Sequence, residues 1–383
     1  MPYSMTRWNN GLDEVEQVSA DITDETNALP ARYFTDPAVH EMEKEKVFGR
    51  YWVYAGHANC IPEAGDYFTR TIGDREIIVL RNHDGDIQAF YNVCAHRGSA
   101  IVEETPMTDP DNARRIQCPY HLWTYDLDGD LASTPRSFEE ARLNPDLNDE
   151  DVPDLDAEEN SLMEVHSDRI GPFVFVNFAD DPMSLAEQAG KLKSELESLP
   201  LAEYELAQRI VSEVECNWKV FGGNYSECDH CQANHQDWVT DLELLDSELE
   251  VNDYHWVLHY KHREDVDDEM RIHDEHEAQF HYFWPNFTVN MYGTADGYGT
   301  YIIDPIDEER FQLVADYYFK DPELTDEEER FIRTSRQLQE EDFELVERQQ
   351  RGLTSGAIAQ AQLGPNEHTV HKLHRLAQTA YEA

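Results

Sequence analysis

Hydrophobic and polar positions divide the chain into blocks. Residues 36–50 read as a helix, and it leads into a β-rich region from about Tyr51 to Thr134. Two β-rich runs there, Arg75–Leu80 and Asp86–Asn92, flank Asn82-His83-Asp84-Gly85, whose turn-forming residues signal a hairpin. The stretch Glu139 to Asn160 is acidic and reads as a surface connector. After it, Arg169–Phe178 is predicted as a strand, Ser184–Ser198 as a helix and 217–238 as a mixed helical segment. Strand-like runs follow at Tyr254–His262, His281–Met291, Thr300–Ile306 and Phe311–Phe319. A long helix is expected from Asp326 to Arg351, stopped near Gly352, with a shorter helix in the C-terminal tail. The pattern predicts a small β domain followed by a larger α+β domain.

Length and charge refine this picture. With 383 residues the chain suits two domains, and 40% hydrophobic residues allow a sizeable core. Against 30 basic residues stand 80 acidic ones, a formal net charge of −50. The excess is spread over the whole length, with dense stretches at 146–159 and 264–277, rather than gathered in a tail. It reads as a solvated surface suited to high salt, where screening over about 3 Å at molar ionic strength suppresses self-repulsion. No Lys/Arg run exists to neutralise phosphates, so nucleic acid is excluded as a partner. No apolar stretch reaches the roughly 18–20 residues that span a bilayer. Residues 1–10 lack a basic segment followed by an apolar one, so a cytoplasmic location is expected. Six cysteines in such a chain suggest metal binding before disulfides.

The chemistry concentrates in two places. Cys94-Ala95-His96 and Cys118-Pro119-Tyr120-His121 each supply one thiolate and one imidazole on a short loop of the β domain. Two Cys and two His suit a structural zinc or a Rieske [2Fe–2S] cluster, in which two His replace two Cys on one iron. Zinc sites usually pair Cys with Cys, so mixing the two types inside each pair favours the cluster. The loops Cys94-Ala95-His96-Arg97-Gly98 and Cys118-Pro119-Tyr120-His121-Leu122-Trp123 resemble the two Rieske loops, although the family usually has a small residue where Leu122 stands.

The second place is 217–235, which contains Glu227, His230 and His235. On a regular helix the two His would stand about 140° apart, so a bend or helix end near His235 is needed to aim both at one ion. Gly222 and Gly223 make the start of the segment pliable. A non-haem Fe(II) site needs two His and one carboxylate, with three positions left open. On the long helix, Phe331, Ser335, Leu338, Asp342, Leu345 and Val346 share one face, and Asp342 interrupts its apolar part. A buried carboxylate is costly unless paired or metal-bound, so Asp342 is the expected third ligand. Glu340, Glu341, Glu344 and Glu347 fall on the flanks or outer face, and little effect is expected from losing Glu341.

With both sites in order, residues 36 to 355 resemble the α subunit of Rieske non-haem iron oxygenases, the ring-hydroxylating dioxygenase large-subunit family. Gln349-Gln350-Arg351-Gly352-Leu353 is also similar to the family's pattern. The resemblance implies an α+β fold: an N-terminal helical segment (1–45) packing on the catalytic domain, a Rieske [2Fe–2S] β domain with its acidic connector (46–160), and a helix-grip catalytic domain of antiparallel sheet plus helices (161–383). It implies one [2Fe–2S] cluster on Cys94, His96, Cys118 and His121, and one mononuclear Fe(II) on His230, His235 and Asp342. Glu227 matches the acidic residue that links the two centres, and Glu there is similar to the subgroup acting on choline, betaine and carnitine. It further implies a homotrimer, O₂ and a small organic substrate, and electrons ultimately from NAD(P)H through a separate reductase or ferredoxin. The chain has no nucleotide fingerprint of its own. Monooxygenation of a methyl or C–H group is favoured, with N-demethylation of a quaternary amine as a candidate. Ring cis-dihydroxylation is the enzymatic alternative, and a Rieske electron-transfer protein without oxygenase activity is the alternative of another class.

Weaker signals are read plainly. Cys228 and Cys231 are expected as buried free thiols, and Cys60 and Cys216 as core residues. His255, His259, His262, His273, His276 and His281 are read as surface or packing residues, and His368, His371 and His374 as a solvated helix face. Trp218, Tyr225, Trp238, Tyr282, Phe283, Trp284, Phe287, Tyr292, Tyr298 and Tyr301 fill the core, a few of them lining a pocket that suits an aromatic ring or, through cation–π attraction, a quaternary ammonium.

Overall fold

The computed structural model describes residues 27–135, 157–235, 242–262, 277–291 and 297–383. Most of the acidic connector, Trp238, Tyr292, His273 and His276 lie outside them. The chain forms two compact units, one of residues 55–178 and one of 1–54 with 179–383.

The described residues begin with strand β1 (Asn27–Pro30) and helix α1 (Pro37–Lys46). Asp36 caps α1 by accepting from the Ala38 N–H at 2.9 Å, and Pro37 starts the helix where no N–H is needed. The β unit follows, with β2 (Val53–His57), β3 (Asp66–Ile72), β4 (Arg75–Arg81) and β5 (Ile87–Tyr91). Next come β6 (Asp111–Asn112), β7 (Ile116–Gln117), β8 (Thr124–Tyr125), β9 (Leu131–Ser133), β10 (Glu164–Ile170) and β11 (Phe173–Asn177). Seven of these form a sheet in the order β2-β11-β10-β5-β4-β3-β6, and β7-β8-β9 form a small second sheet. The expected hairpin at 82–85 is present. Asn82 Oδ1 accepts from the N–H groups of Asp84 (3.1 Å) and Asp86 (2.9 Å), and Gly85 takes φ +89°. The single strand expected over 169–178 is instead the hairpin β10–β11, because Gly171 at φ +56° and Pro172 turn the chain between them. That hairpin pairs with β5 at Val165–Ala89, so the compact unit runs to Phe178 rather than ending at 160.

The larger unit continues with α2 (Leu185–Ala189) and α3 (Lys191–Glu197), where one helix was expected. Gly190, at φ +54°, breaks it. Then come β12 (Glu205–Val214), α4 (Trp218–Tyr225), α5 (Cys231–Asn234), β13 (Leu242–Val251), β14 (His255–His262) and β15 (Glu277–Phe283). β16 (Phe287–Met291), β17 (Gly297–Pro305), β18 (Phe311–Phe319), α6 (Asp326–Thr354), β19 (Gln360–Gln362) and α7 (His368–Glu382) complete it. A seven-stranded antiparallel sheet runs β12-β18-β17-β16-β15-β14-β13. The run read as one strand over 281–291 is two, β15 and β16, turned at Trp284-Pro285-Asn286. α6 starts at a capping box of Thr325 and Glu328 and continues through Gly352. The result is the expected α+β arrangement of antiparallel sheets and helices.

Candidate active site

In the β unit, two turns of matching build carry the first donor set. In one, the Gly98 N–H bonds the Cys94 carbonyl at 2.9 Å; in the other, the Leu122 N–H bonds the Cys118 carbonyl at 3.0 Å. The residue closing each turn is left-handed, Gly98 at φ +70° and Leu122 at φ +62°. This explains why a small residue suits the second position, since an L side chain there costs about 1–2 kcal/mol. Cys94 and Cys118 are 2% and 1% exposed and sit in one apolar cluster with Ile78, Phe90, Trp123 and Tyr125. His96 and His121 lie nearer the surface, with ring centroids 4.7 Å apart, and Trp123 stacks on His96. Burial pushes the Cys94 thiol up, and Tyr125 Oη lies 3.2 Å from its sulfur. His96 Nδ1 is shielded from solvent without a hydrogen-bond partner among the described residues. Two buried sulfurs beneath two imidazoles, one with an orphaned nitrogen, form a donor set that fits a Rieske [2Fe–2S] cluster.

In the larger unit, α4 and α5 carry the second set. Asn217 caps α4 by accepting from the Lys219 N–H at 3.0 Å. Gly222 is required by close packing, since a Cβ there would stand 2.9 Å from Tyr282 Oη. Ser226 then ends the helix: its hydroxyl donates back to the Gly222 carbonyl at 2.6 Å, a competing local bond. The chain resumes only one turn of helix, α5, and His235 leaves it at φ −109°, ψ 64°. This is the bend the two imidazoles need. Gln350 fixes the start of α4 from α6, accepting from the Asn217 N–H at 3.0 Å and donating to the Phe34 carbonyl at 3.0 Å.

The bend brings three predicted residues together. His230 Nε2 and His235 Nε2 lie 3.2 Å and 3.1 Å from the same oxygen, Asp342 Oδ1. Each ring is held at its other nitrogen by a carboxylate: Glu227 Oε1 at 2.6 Å from His230 Nδ1, and Glu341 Oε2 at 2.8 Å from His235 Nδ1. Glu341 is therefore no bystander, as the helix-face reading had it. It is one residue and about 100° around the helix from Asp342, which is enough to reach the far nitrogen of His235. Asn224 Nδ2, also unassigned from sequence, is 3.3 Å from Asp342 Oδ1 and from His230 Nε2.

The electrostatics favour a cation here. Burial opposes charge on His230, yet hydrogen bonds to Asp342 and Glu227 raise its pKa to about 10. Burial likewise opposes ionisation of Asp342, yet the two imidazoles hold its carboxyl below the ordinary range. Two imidazoles with one carboxylate on one side are the facial set of non-haem Fe(II). Cys231 Sγ lies 4.0 Å from His230 Nε2, but it is bonded to Cys228 and offers no thiolate. The expected free thiols at 228 and 231 are thus corrected to a disulfide, since the turn between α4 and α5 sets their Cα atoms 5.0 Å apart. Cys216 is buried as expected and Cys60 only half-buried, and neither forms a disulfide.

A small cavity of about 60 Å³ opens beside the triad, lined by Phe221, Tyr225, Leu258, Tyr260, Phe280 and Tyr301 among others. Of the aromatics expected near the pocket, Tyr225 and Tyr301 line it, whereas Trp218, Tyr282, Trp284 and Tyr298 are fully buried core. Phe221, Tyr260 and Phe280 were missed; Tyr260 lies between the half-exposed His259 and Lys261, the strand alternation that could have placed it. Glu227 lines both this cavity and a wider one of about 320 Å³. One histidine reading also changes, that of His374, whereas His255 and His281 keep the packing role expected of them. His255 and His281 are buried on the sheet, and His374 is buried, its Nδ1 accepting from the Leu29 N–H at 3.3 Å.

Comparison with known proteins agrees with this geometry. Residues 51–143 match the Rieske [2Fe-2S] domain, and residues 201–383 match the ring hydroxylating alpha subunit catalytic domain. The carnitine monooxygenase oxygenase subunit of Escherichia coli K12 is 32% identical over 363 residues, 91% of this chain and 92% of that protein. The chloroplastic choline monooxygenase of Beta vulgaris is 28% identical over 357 residues, 90% of this chain and 75% of that one. A crystal structure of a quaternary ammonium Rieske monooxygenase, studied for carnitine oxidation and inter-subunit electron transfer, superposes with a TM-score of 0.80 at 25% identity, covering 96% of this chain and 98% of that one. The chain belongs to the Rieske non-haem iron oxygenase α subunits, O₂-dependent enzymes with one [2Fe–2S] cluster and one mononuclear iron, reduced by a separate reductase.

Proposed function

We propose that this oxygenase oxidises a small quaternary ammonium compound of the choline, betaine or carnitine type at an iron held by His230, His235 and Asp342. The observation that carries the reading is the convergence of both Nε2 atoms on Asp342 Oδ1 beside a cavity walled by Tyr225, Tyr260, Phe280 and Tyr301. Aromatic faces attract a quaternary ammonium by about 0.5–2 kcal/mol each, and Glu227 and Asp342 add negative charge. No Lys or Arg lines this cavity among the described residues. The relatives named above act on carnitine and choline, which supports the same class here.

When bound, the iron supplies O₂ activation and the cluster supplies single electrons. The rest falls to the chain. Cys94, His96, Cys118 and His121 hold the cluster. Glu227 and Glu341 fix the ring planes of His230 and His235 and keep their metal-facing nitrogens aimed. The aromatic wall keeps water from the methyl groups and places one of them toward the triad. Glu227, bonded to His230 and bordering the wider cavity, couples the centres as the inter-centre bridge. The working assembly is a homotrimer, with electrons ultimately from NAD(P)H.

The test is substrate-dependent O₂ uptake with a surrogate reductase, comparing choline, betaine, carnitine and simple aromatics. Uptake matched by loss or hydroxylation of a methyl or C–H group in one of the quaternary amines is expected. Stoichiometric cis-diol from an aromatic, with none of the amines turned over, contradicts the proposal.

A further inference from the structure

The strands that wall the catalytic cavity carry a second set of donors on their other face. Leu258, Tyr260 and Phe280 face the cavity, and Trp256 Nε1 donates to Ser226 Oγ at 3.1 Å on the same side. His255 and His281 alternate with them and turn the opposite way, where α3 brings Glu195. Register pairs Val257 with His281 and His255 with Phe283, so the two imidazoles are diagonal neighbours on one face.

We propose that Glu195, His255 and His281 form a second metal site that takes one Zn²⁺ and pins α3 to the sheet. Their ligand atoms all lie within 4.8 Å of one another. His255 Nε2 and His281 Nδ1 are 3.0 Å apart, and His281 Nδ1 is 3.9 Å from Glu195 Oε2. Tetrahedral zinc with bonds of about 2.0–2.1 Å sets its donors roughly 3.3 Å apart, so small shifts close the site. The histidines are 0% and 1% exposed.

The pairing leaves one group unexplained without a cation. Glu195 Oε2 is shielded from solvent and accepts no hydrogen bond from any described residue. A chain from Asn252 through His255 and His281 to Gln279 would satisfy both rings, but not that oxygen. A zinc ion satisfies all three. One outer partner is in place: His281 Nε2 lies 3.1 Å from Gln279 Oε1, which leaves Nδ1 as the lone pair. Burial lowers the pKa of His255 to about 4, keeping that ring neutral as a ligand must be. None of the three residues lines the cavities at the iron centre. With three protein ligands, four-coordinate zinc would have one position left for water.

Zinc content of the iron-replete holoenzyme tests this, together with Asp342→Ala and the double variant His255→Gln/His281→Gln. About one zinc per chain is expected in the wild type and in Asp342→Ala, and at least tenfold less in the double variant, which should keep its Rieske EPR signal. Zinc absent from the wild type, zinc retained by the double variant, or zinc lost only in Asp342→Ala overturns the proposal. The last outcome means adventitious zinc at the iron centre. Zinc K-edge absorption should show nitrogen and oxygen ligands; sulfur would place the ion at Cys94 and Cys118 and overturn it too. Should the double variant fail to fold, Glu195→Gln serves. In protein produced without zinc and loaded with iron only, stoichiometric Zn²⁺ should raise the melting temperature of the wild type and not of Glu195→Gln, and equal shifts in both contradict the site.

Discussion

Both imidazoles at the proposed iron centre are gripped at both ring nitrogens, and the outer grip has consequences. Glu341 is 2.8 Å from His235 Nδ1 and therefore sets which nitrogen His235 offers. Removing such an outer partner typically costs 10–100-fold in metal affinity or activity. Glu341→Gln should weaken mononuclear iron retention by about that factor while the Rieske EPR signal stays unchanged. Glu340→Ala, whose carboxylate pairs with exposed Arg336 at 2.9 Å, should retain iron as the wild type does. Equal iron loss in both would remove the orienting role. At the cluster, the Tyr125 hydroxyl reaches the Cys94 sulfur at 3.2 Å and takes up the Ala95 N–H at 3.2 Å. Hydrogen bonds to cluster sulfurs raise the potential, so Tyr125→Phe should lower it in protein-film voltammetry. An unchanged potential would mean that this bond is absent with the cluster bound.

At the scale of elements, α6 is the lever that positions Asp342. One turn before it, Gln339 Nε2 donates to Tyr301 Oη (3.0 Å) and Tyr317 Oη (2.9 Å), and Ser335 joins the same buried group. These bonds tie α6 to β17 and β18. Gln339→Leu leaves two buried hydroxyls short of a partner and should destabilise the fold by about 1–3 kcal/mol by denaturant unfolding. It should also lower mononuclear iron content with the cluster retained. The long helix and the hairpin at 82–85 were legible in the sequence, because periodicity and turn chemistry each left a local mark, and ligand spacing brought forward both donor pairs and Asp342 as candidates. β12 left none. It is half-exposed along most of its length, and Arg209 interrupts it to pair with buried Asp316 at 2.6 Å. Glu341 and Asn224 were not legible either, since their roles depend on how α6 and α4 meet, which no local pattern records.

For the molecule as a whole, charge dominates. Exposed pairs such as Arg333–Glu329 and Arg348–Glu344 on α6 are each worth only a few tenths of a kcal/mol, and the excess of 80 acidic over 30 basic residues remains unpaired in bulk. That surface repels itself at low ionic strength. The melting temperature should therefore rise with KCl into the molar range, and a salt-independent value would refute adaptation to salt. No helix among the described residues is long and apolar enough to cross a membrane.

The central claim is that electrons stored at the β unit's cluster are spent on a quaternary ammonium at the centre built on His230, His235 and Asp342. A single turnover tests it without any reductase. Holoenzyme reduced beforehand and freed of reductant is mixed with O₂ and choline, betaine or carnitine, and product and the Rieske EPR signal are quantified together. The account predicts oxidised product from one of these amines with matching loss of the signal in the wild type, and no product with the signal retained in Asp342→Ala. Wild-type product yield from Asp342→Ala, or signal loss without product from any of the three amines, would contradict it.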